Sequence, residues 1–368
     1  MLGLLKSYLR RLRVAIRPMR ERGWGLVSVL LVQVPVAFLL RGWRVVAQPL
    51  NGGVIQRVFN RPRFVKFEGQ LAGSTLPRFY VIVMPFTLHF LLPCLALLRG
   101  RVQVVLLNNG ARRWERRVLR KRYPALQMFD LWTLPMSSVA HGHVINLLLE
   151  SGHGNFGLVD HDCYVFDDAI FEQLVPANDE CLLSLFGEAS RSVEITFPLT
   201  YFLYFNTGAL QGLMQRYRVD ARLYRSMPPT ARDAMASIGL GPAIFWKHYH
   251  NFYDTLHVLL AVAVADGLKF RFVSSHEQLP AIHVGGTSIG THHAKNLYAL
   301  YIHLRFLELL GDPLLSRRYA FLTAPLCSSA QALARSDLAS LPWQALPTLE
   351  TLMKRLGDAL NESSSRPA

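Results

Sequence analysis

Between residues 79 and 159, four short apolar segments alternate with three segments of helical spacing. The apolar segments, which contain many aromatic and β-branched residues, are FYVIVM, VQVVLLN, LQMFDLW and NFGLV. Such segments are typical of β-strands, and Pro85 marks the end of the first. Strands that are apolar on both faces and alternate with helices predict a mostly parallel sheet with helices on both faces, an α/β fold.

Polar side chains follow the second and the fourth predicted strand. Asn108, Asn109 and Gly110 end the second, and Asp160 and Asp162 follow the fourth. In open parallel sheets, ligands bind at the carboxyl ends of the strands. Two carboxylates at one site can bind Mg²⁺ or Mn²⁺ and leave positions for water and substrate phosphates. A solvated turn is the alternative interpretation of a lone Asp-x-Asp.

Residues 79–98 are apolar enough to suggest a membrane span. However, the aromatic and β-branched start, the proline after it and the helical spacing up to Gly100 predict a strand followed by a helix. We therefore expect this stretch to lie in the sheet domain rather than in a bilayer.

The N-terminal part carries seven basic residues before an apolar run at residues 24–40. The run is at the short limit for spanning a bilayer, so we expect residues 1–45 to form a helical segment that associates with the membrane. A buried first helix of a soluble protein is the alternative. The turn-rich residues 46–78 (QPLNGG, NRPR) predict a connecting segment of short elements.

The formal charge of +15 indicates an anionic partner: nucleic acid, an acidic membrane surface or a phosphorylated substrate. The basic stretch 112–122 could bind nucleic acid, but it has few aromatic residues and no known nucleic-acid motif. We therefore predict an anionic membrane surface as partner and no nucleic acid. The four cysteines are far apart, which favours a reducing compartment and no zinc site.

Several of these motifs together carry a family resemblance. The blocks FYVIVMPFTLHFLLPCLALLRGRVQVVLLNNGA and HGHVINLLLESGHGNFGLVDHDCYVFDD resemble the nucleotide-binding half of GT-A glycosyltransferases, especially the family-2-like group. The resemblance implies a Rossmann-like GT-A domain with a nucleotide-binding half at residues 79–168 and an acceptor-binding half at residues 169–312. Residues 313–368 would form a helical tail that ends in a disordered NESSSRPA.

The resemblance also implies roles for individual residues. Asp160 and Asp162 would hold the metal and the sugar diphosphate, and Asp162 is the expected direct ligand. Asn108 stands where the family usually has an aspartate. His141 matches the His-Gly that starts the helix before the Asp-x-Asp strand. A structural cap is the alternative role of that His-Gly. The residues that would contact the nucleotide sugar are Pro85, Asn108, Asn109, Gly110, His141, Asp160, Gly285 and Gly286.

Two further assignments come from the second half. Asp254 occupies the place of the family's general base, which deprotonates the acceptor hydroxyl; a helix cap is the alternative role. His283 stands in IHVGGTSIG, similar to the His-x-Gly-Gly segment that returns to the metal or diphosphate in several GT-A enzymes. An imidazole ligand suits Mn²⁺ better than Mg²⁺.

The predicted protein is a metal-dependent glycosyltransferase with Mn²⁺ or Mg²⁺ as cofactor. It would transfer a sugar from a nucleotide-diphosphate sugar to a hydroxyl of a lipid-linked or envelope glycan, with inversion, in polysaccharide biosynthesis. We expect it at the cytoplasmic face of the inner membrane, peripheral or monotopic. A sugar nucleotidyltransferase and a non-catalytic membrane-bound scaffold are the alternatives.

Overall fold

A computed structural model gives the fold of most of the chain. The residues that it describes are 34–71, 73–135, 137–151, 154–190, 193–241, 253–275, 277, 279–285, 287, 297–323 and 349–365.

A seven-stranded sheet organises the described residues, with strand order β10-β6-β9-β4-β1-β2-β3. Within it, β9 alone runs antiparallel to its neighbours, β4 and β6. Two small antiparallel pairs, β5–β11 and β7–β8, stand beside it. The strands are β1 (Arg78–Val83), β2 (Gln103–Asn108), β3 (Gln127–Asp130), β4 (Phe156–Val159), β5 (Cys163–Val165), β6 (Glu180–Ser184), β7 (Gly187–Ala189), β8 (Thr196–Pro198), β9 (Phe202–Phe205), β10 (Lys269–Phe272) and β11 (Ala281–His283).

Helices cover both faces of the sheet. The helices are α1 (Val34–Leu50), the π-helical α2 (Asn51–Asn60), α3 (Arg61–Glu68), α4 (Leu88–Leu98), α5 (Arg113–Arg122), α6 (His141–Ser151), α7 (Ala169–Glu172), α8 (Thr207–Tyr217), a 3₁₀ turn (Pro229–Ala231), α9 (Arg232–Ser237), α10 (His257–Ala265), α11 (Leu297–Leu310), α12 (Pro313–Thr323) and α13 (Leu349–Ser365). One apolar core lies under α4, α11, α12 and α13, and a second lies under α6, α8, α9 and α10. The predicted α/β class with a mostly parallel sheet and helices on both faces is therefore confirmed.

The prediction of a turn-rich connecting segment was wrong in its local structure, because α1, α2 and α3 follow one another without a break to Glu68. Pro62 is the second residue of α3, directly after the π-helical α2 ends. Polar side chains of α2 are buried and bind α6 and the loop before it: Asn51 donates to Ser137 Oγ (2.8 Å), and Gln56 donates to the His143 carbonyl (2.9 Å). Tertiary contacts thus override the turn signals of the sequence.

One other local prediction was also wrong. The C-terminal residues predicted to be disordered are helical as far as Ser365. Leu352 and Leu356 of α13 are fully buried, and this packing fixes the helix despite its polar end.

The stretch 79–98 is a strand and a helix, as predicted, and not a membrane span. Among the described residues, none of the helices combines the length and hydropathy needed to cross a bilayer. Residues 24–33 of the N-terminal apolar run lie outside the described residues. The predicted domain boundaries stay predictions.

Candidate active site

The turn after β4 places Asp160 and Asp162 at the carboxyl edge of the sheet. The Asp160 N–H donates to the Tyr201 carbonyl beside β9 (2.9 Å), and its carbonyl accepts from the Cys163 N–H (3.0 Å). Asp162 is almost fully buried, whereas 26% of the Asp160 side chain is exposed. The chain therefore holds one carboxylate inside the protein and presents the other to solvent.

His283 joins this pair because β11 lies antiparallel to β5. His283 is paired with Cys163, and the Val284 N–H donates to the Asp162 carbonyl (3.1 Å). The Nε2 atom of His283 lies 3.4 Å from Asp162 Oδ1 and 3.8 Å from Asp160 Oδ2. The ring of Tyr201 stacks on the imidazole, with centroids 3.5 Å apart and planes at 17°. Backbone pairing and stacking thus fix the orientation of the ring.

Two polar side chains support the buried carboxylate. The Thr287 hydroxyl donates to Asp162 Oδ2 (2.5 Å), and His161 Nε2 lies 3.1 Å from the same hydroxyl. Both side chains are buried. Asp162 therefore has one oxygen engaged by Thr287 and the other facing His283.

The two carboxyl groups differ in acidity. Burial and the neighbouring charge of Asp162 raise the pKa of Asp160 to about 7, although His283 opposes the shift. Burial also penalises the charge on Asp162, but the positive charges of His283 and His161 and the hydrogen bonds from His283 and Thr287 outweigh it and hold the pKa of Asp162 below its usual range. Asp162 thus stays ionised, and a bound cation would also favour the ionised form of Asp160.

The donor set fits a divalent cation. Asp160, Asp162 and His283 each offer one ligand atom, and these atoms lie within 4.8 Å of one another. Two carboxylate oxygens and one imidazole nitrogen suit Mn²⁺ and leave coordination positions for water and phosphate oxygens. The arrangement supports a divalent metal; the identity of the metal and the roles of the three residues stay predictions.

The Asn-Asn-Gly segment lies at the same edge of the sheet. Asn108 Nδ2 donates to Asp130 Oδ1 (2.5 Å), and its Oδ1 accepts from the Ala111 N–H (2.8 Å). The amide of Asn109 exchanges two hydrogen bonds with the Val139 backbone, both 2.8 Å. Both amides thus hold the loop from within the protein, and their predicted contact with the nucleotide stays a prediction.

Two other predicted residues, Pro85 and Gly110, belong to this loop. Gly110 has φ +99° and its α-carbon faces Pro85, so that an added β-carbon would lie 3.7 Å from the proline ring. The left-handed conformation favours glycine here. In the second half, Gly285 also has a positive φ of +71°. Gly286 lies outside the described residues.

His141 is the first residue of α6, and Asp254 lies just before the start of α10. The Gly142 α-carbon contacts the Ala221–Arg222 backbone so closely that an added β-carbon would lie 2.4 Å from the Ala221 carbonyl oxygen. That carbonyl accepts from the Leu256 N–H (3.0 Å), which ties the Asp254 segment to the start of α6. Burial lowers the pKa of His141 to about 4, although the negative charge of Asp254 opposes the shift. His141 is therefore neutral at pH 7, beside the predicted base.

The contacts of three supporting residues were not predicted from the sequence. Tyr201 reaches His283 only because β9 is antiparallel to β4, and the sequence contains no signal for this change of strand direction. Thr287 stands four residues after His283, and its hydroxyl beside the glycines was the available signal. His161 was placed between the acids by sequence, but its contact with Thr287 depends on the fold.

The described residues thus form an α/β domain with an acidic and histidine cluster at the carboxyl edge of its sheet. Residues 58–210 match the family model described as the StrH glycosyltransferase N-terminal domain. The matched part, less than half of the chain, runs from the end of α2 into α8 and contains Asp160 and Asp162. The match confirms the predicted resemblance to glycosyltransferases, and with it the predicted class of enzyme.

Two solved structures show a distant likeness. The glycosyltransferase GlyE of Streptococcus pneumoniae TIGR4 is 11% identical, with 79% of this chain and 64% of that chain covered and a TM-score of 0.37. The apo structure of the bifunctional glycosyltransferase WbbM is 9% identical, with coverage of 57% and 48% and a TM-score of 0.29. The chain thus spans less than two thirds of the length of either protein. No curated protein matches the chain.

Proposed function

We propose that the protein transfers a sugar from a nucleotide-diphosphate sugar to a hydroxyl of a glycan or lipid-linked acceptor, and that Asp160, Asp162 and His283 hold the divalent cation that the reaction needs. The observation that carries this proposal is the convergence of the three ligand atoms at the carboxyl edge of a glycosyltransferase domain. A cation bound there would stabilise the negative charge that develops on the departing nucleoside diphosphate.

The protein residues would divide the remaining work. Asp162 stays ionised because His283 and Thr287 support its negative charge, so it is the expected permanent ligand. Asp160 is partly exposed and can turn toward the substrate side. Asp254 is the proposed base for the acceptor hydroxyl, in a direct and inverting displacement, and the neutral His141 beside it leaves that carboxylate unneutralised.

Hydrolysis of a panel of nucleotide sugars, measured with Mn²⁺ and with Mg²⁺, tests the proposal and identifies the donor. We expect Asp160→Ala and Asp162→Ala to abolish metal-dependent hydrolysis and transfer while the proteins stay folded. Asp179→Ala is the matched control, since Asp179 is a surface acid paired with Lys269 (2.6 Å). Folded Asp160→Ala and Asp162→Ala proteins with full activity would overturn the metal site, and calorimetry showing no metal-dependent binding of a nucleoside diphosphate would favour a scaffold.

We also propose that α1 to α3 rest on an anionic membrane surface, at the cytoplasmic face of the inner membrane. An apolar stripe on these helices faces solvent, with residues three or four positions apart. Its members, with the exposed fraction of each, are Leu39 (74%), Trp43 (39%), Val46 (55%), Leu50 (44%), Val54 (60%) and Val58 (58%). The exposed basic residues of α2 and α3 are Arg57, Arg61, Arg63 and Lys66. Apolar insertion and attraction to acidic lipid would act together.

Sedimentation with lipid vesicles tests this orientation. We expect the double variant Val54→Asp/Val58→Asp to lose at least about tenfold in its partitioning to anionic vesicles, because two apolar side chains leave the interface. Val175→Asp is the control, since Val175 is 76% exposed and lies outside the stripe. Equal partitioning of the double variant and the wild type would contradict the proposal, as would equal binding to zwitterionic and anionic vesicles.

A further inference from the structure

One arginine of α13 contacts both sides of the small β5–β11 pair. Nη1 of Arg355 donates to the Leu279 carbonyl, two residues before β11 begins (2.6 Å). The same guanidinium lies over the ring of Phe166, the first residue after β5, with Cζ 4.3 Å from the ring centroid. Arg355 thus joins the segment that enters β11 to the segment that leaves β5.

The opposite end of this pair carries two of the proposed metal ligands. His283 ends β11, two residues after Ala281, and Asp162 directly precedes β5. Two residues of an extended strand span about 7 Å. A shift at the start of β11 would therefore also move His283 relative to Asp162.

The β5–β11 pair is too short to fix its own position. It contains three residue pairs, and among the described residues it joins no third strand. A backbone hydrogen bond closes each end, from the Phe166 N–H to the Pro280 carbonyl (2.8 Å) and from the Val284 N–H to the Asp162 carbonyl (3.1 Å). Isolated two-stranded pairs are marginally stable. The position of β11 against β5 therefore depends on side chains of neighbouring elements.

Helix α13 supports the guanidinium firmly. Leu352 and Leu356, on either side of Arg355 in the helix, are fully buried in the apolar core that also contains residues of β5 and β11. Nη2 of Arg355 pairs with Glu277. Because the planar guanidinium donates to this carboxylate and to the Leu279 carbonyl at once, it holds the backbone before β11 at a defined place on α13.

We propose that Arg355 is a positioning residue of the metal site. By holding the start of β11 against the end of β5, it places the imidazole of His283 beside Asp162 and so sets the affinity of the site for a divalent cation. The inference rests on the proposed metal-dependent transferase function and extends its site to α13. Arg355 acts through His283 and does not itself contact the cation.

Calorimetric titration of the metal-free protein with Mn²⁺ tests this role without a measurement of activity. We expect Arg355→Ala to weaken Mn²⁺ binding at least about tenfold, as is common when a contact that orients a metal ligand is removed. Lys354→Ala is the matched control, because it removes the same charge from the adjacent, exposed position of α13. Arg355→Lys keeps the charge but not the planar fork, so it should weaken Mn²⁺ binding less than Arg355→Ala does.

A double variant separates positioning from a general loss of stability. We expect Arg355→Ala to have no further effect on Mn²⁺ affinity in a His283→Ala protein, because the ligand through which Arg355 acts is then gone. An equal loss of affinity with and without His283 would overturn the inference. Unchanged Mn²⁺ affinity in folded Arg355→Ala protein would also overturn it, and unchanged affinity in Arg355→Lys would do so if the alanine variant failed to fold.

The inference and the proposed function can fail separately. A wild-type protein that binds no Mn²⁺ would overturn the metal site, and this inference with it. Mn²⁺ binding to the wild type with the same affinity in the Arg355 variants would overturn the positioning role and leave the metal site standing.

Discussion

Nε2 of His283 lies 3.4 Å from Oδ1 of Asp162, and this contact joins two segments that are far apart in sequence. The pairing of β11 with β5 creates it, and the stacked Tyr201 ring keeps the imidazole in place. A nitrogen ligand beside two carboxylates shifts the preference of such a site toward Mn²⁺, since Mg²⁺ favours oxygen ligands alone.

The metal preference should therefore depend on His283. We expect the wild type to bind Mn²⁺ more tightly than Mg²⁺, and His283→Asp to lower that ratio roughly tenfold because it replaces nitrogen with oxygen. Calorimetric titration with each cation measures the ratio. His283→Ala is the control, since it should weaken binding of both cations. An unchanged ratio in a folded His283→Asp protein would show that His283 is not a ligand.

Sequence reasoning worked well for the sheet and poorly for the N-terminal helices. The strand β1 and helix α4 carry local signals that agree with their burial, so their order and type were predictable. Asn51 and Gly52 of α2 carry turn signals instead. Their conformation is set by partners in another part of the chain, such as Ser137 and His143. Such distant contacts leave no periodic trace in the sequence.

The candidate site likewise contains residues that the sequence predicts and residues whose partners depend on distant contacts. Asp160 and Asp162 were identifiable because they directly follow an apolar strand, and strand order brings them to the sheet edge. The Asn108 amide could not be assigned in this way, because its pairing with Asp130 depends on the neighbour that β2 acquires in the sheet. Motif position predicts where a residue lies, but it does not predict which partners use its polar atoms.

The half-buried His141 should make stability depend on pH. Burial lowers its pKa to about 4 from the ordinary value of 6.5, and its Nε2 has no hydrogen-bond partner among the described residues. Between pH 6.5 and 4 the unfolded chain binds a proton that the folded chain does not, so stability falls as pH falls. We expect the loss of unfolding free energy from pH 7.5 to pH 5 to be smaller by about 2 kcal/mol in His141→Gln. Urea unfolding at both pH values measures it, and parallel losses in the two proteins would contradict it.

The start of α6 should not tolerate a side chain at Gly142. An added β-carbon would lie 2.4 Å from the Ala221 carbonyl oxygen and 2.8 Å from the Arg222 α-carbon, both of them backbone atoms that cannot rotate away. We expect Gly142→Ala to lower the unfolding free energy by about 1–3 kcal/mol. Gly212→Ala in α8 is the matched control: nothing lies within 4 Å of the added atom, so it should be neutral or stabilising by up to about 1 kcal/mol. Equal effects of the two substitutions would refute the argument.

Glu115 should anchor the loop that follows β1. Its carboxylate is buried and accepts three hydrogen bonds, from the Phe86 N–H (2.7 Å), the Arg112 N–H (2.6 Å) and the Tyr319 hydroxyl (2.6 Å). Phe86 has φ +65°, a conformation that a residue other than glycine keeps only when its surroundings impose it. The loop also contains Pro85, a predicted contact of the nucleotide sugar.

Glutamine at position 115 would have an NH₂ group in place of one carboxylate oxygen. This group cannot accept a hydrogen bond, and it would face a hydrogen-bond donor. We expect Glu115→Gln to cost about 1–3 kcal/mol of unfolding free energy, and Tyr319→Phe, which removes one donor and leaves the acceptors intact, to cost about 1 kcal/mol. Urea unfolding measures both. If the loop orders Pro85 for the donor, Glu115→Gln should also raise the KM for the nucleotide sugar more than Tyr319→Phe does. Equal stability of Glu115→Gln and the wild type would show that the carboxylate does not hold the Phe86 backbone in place.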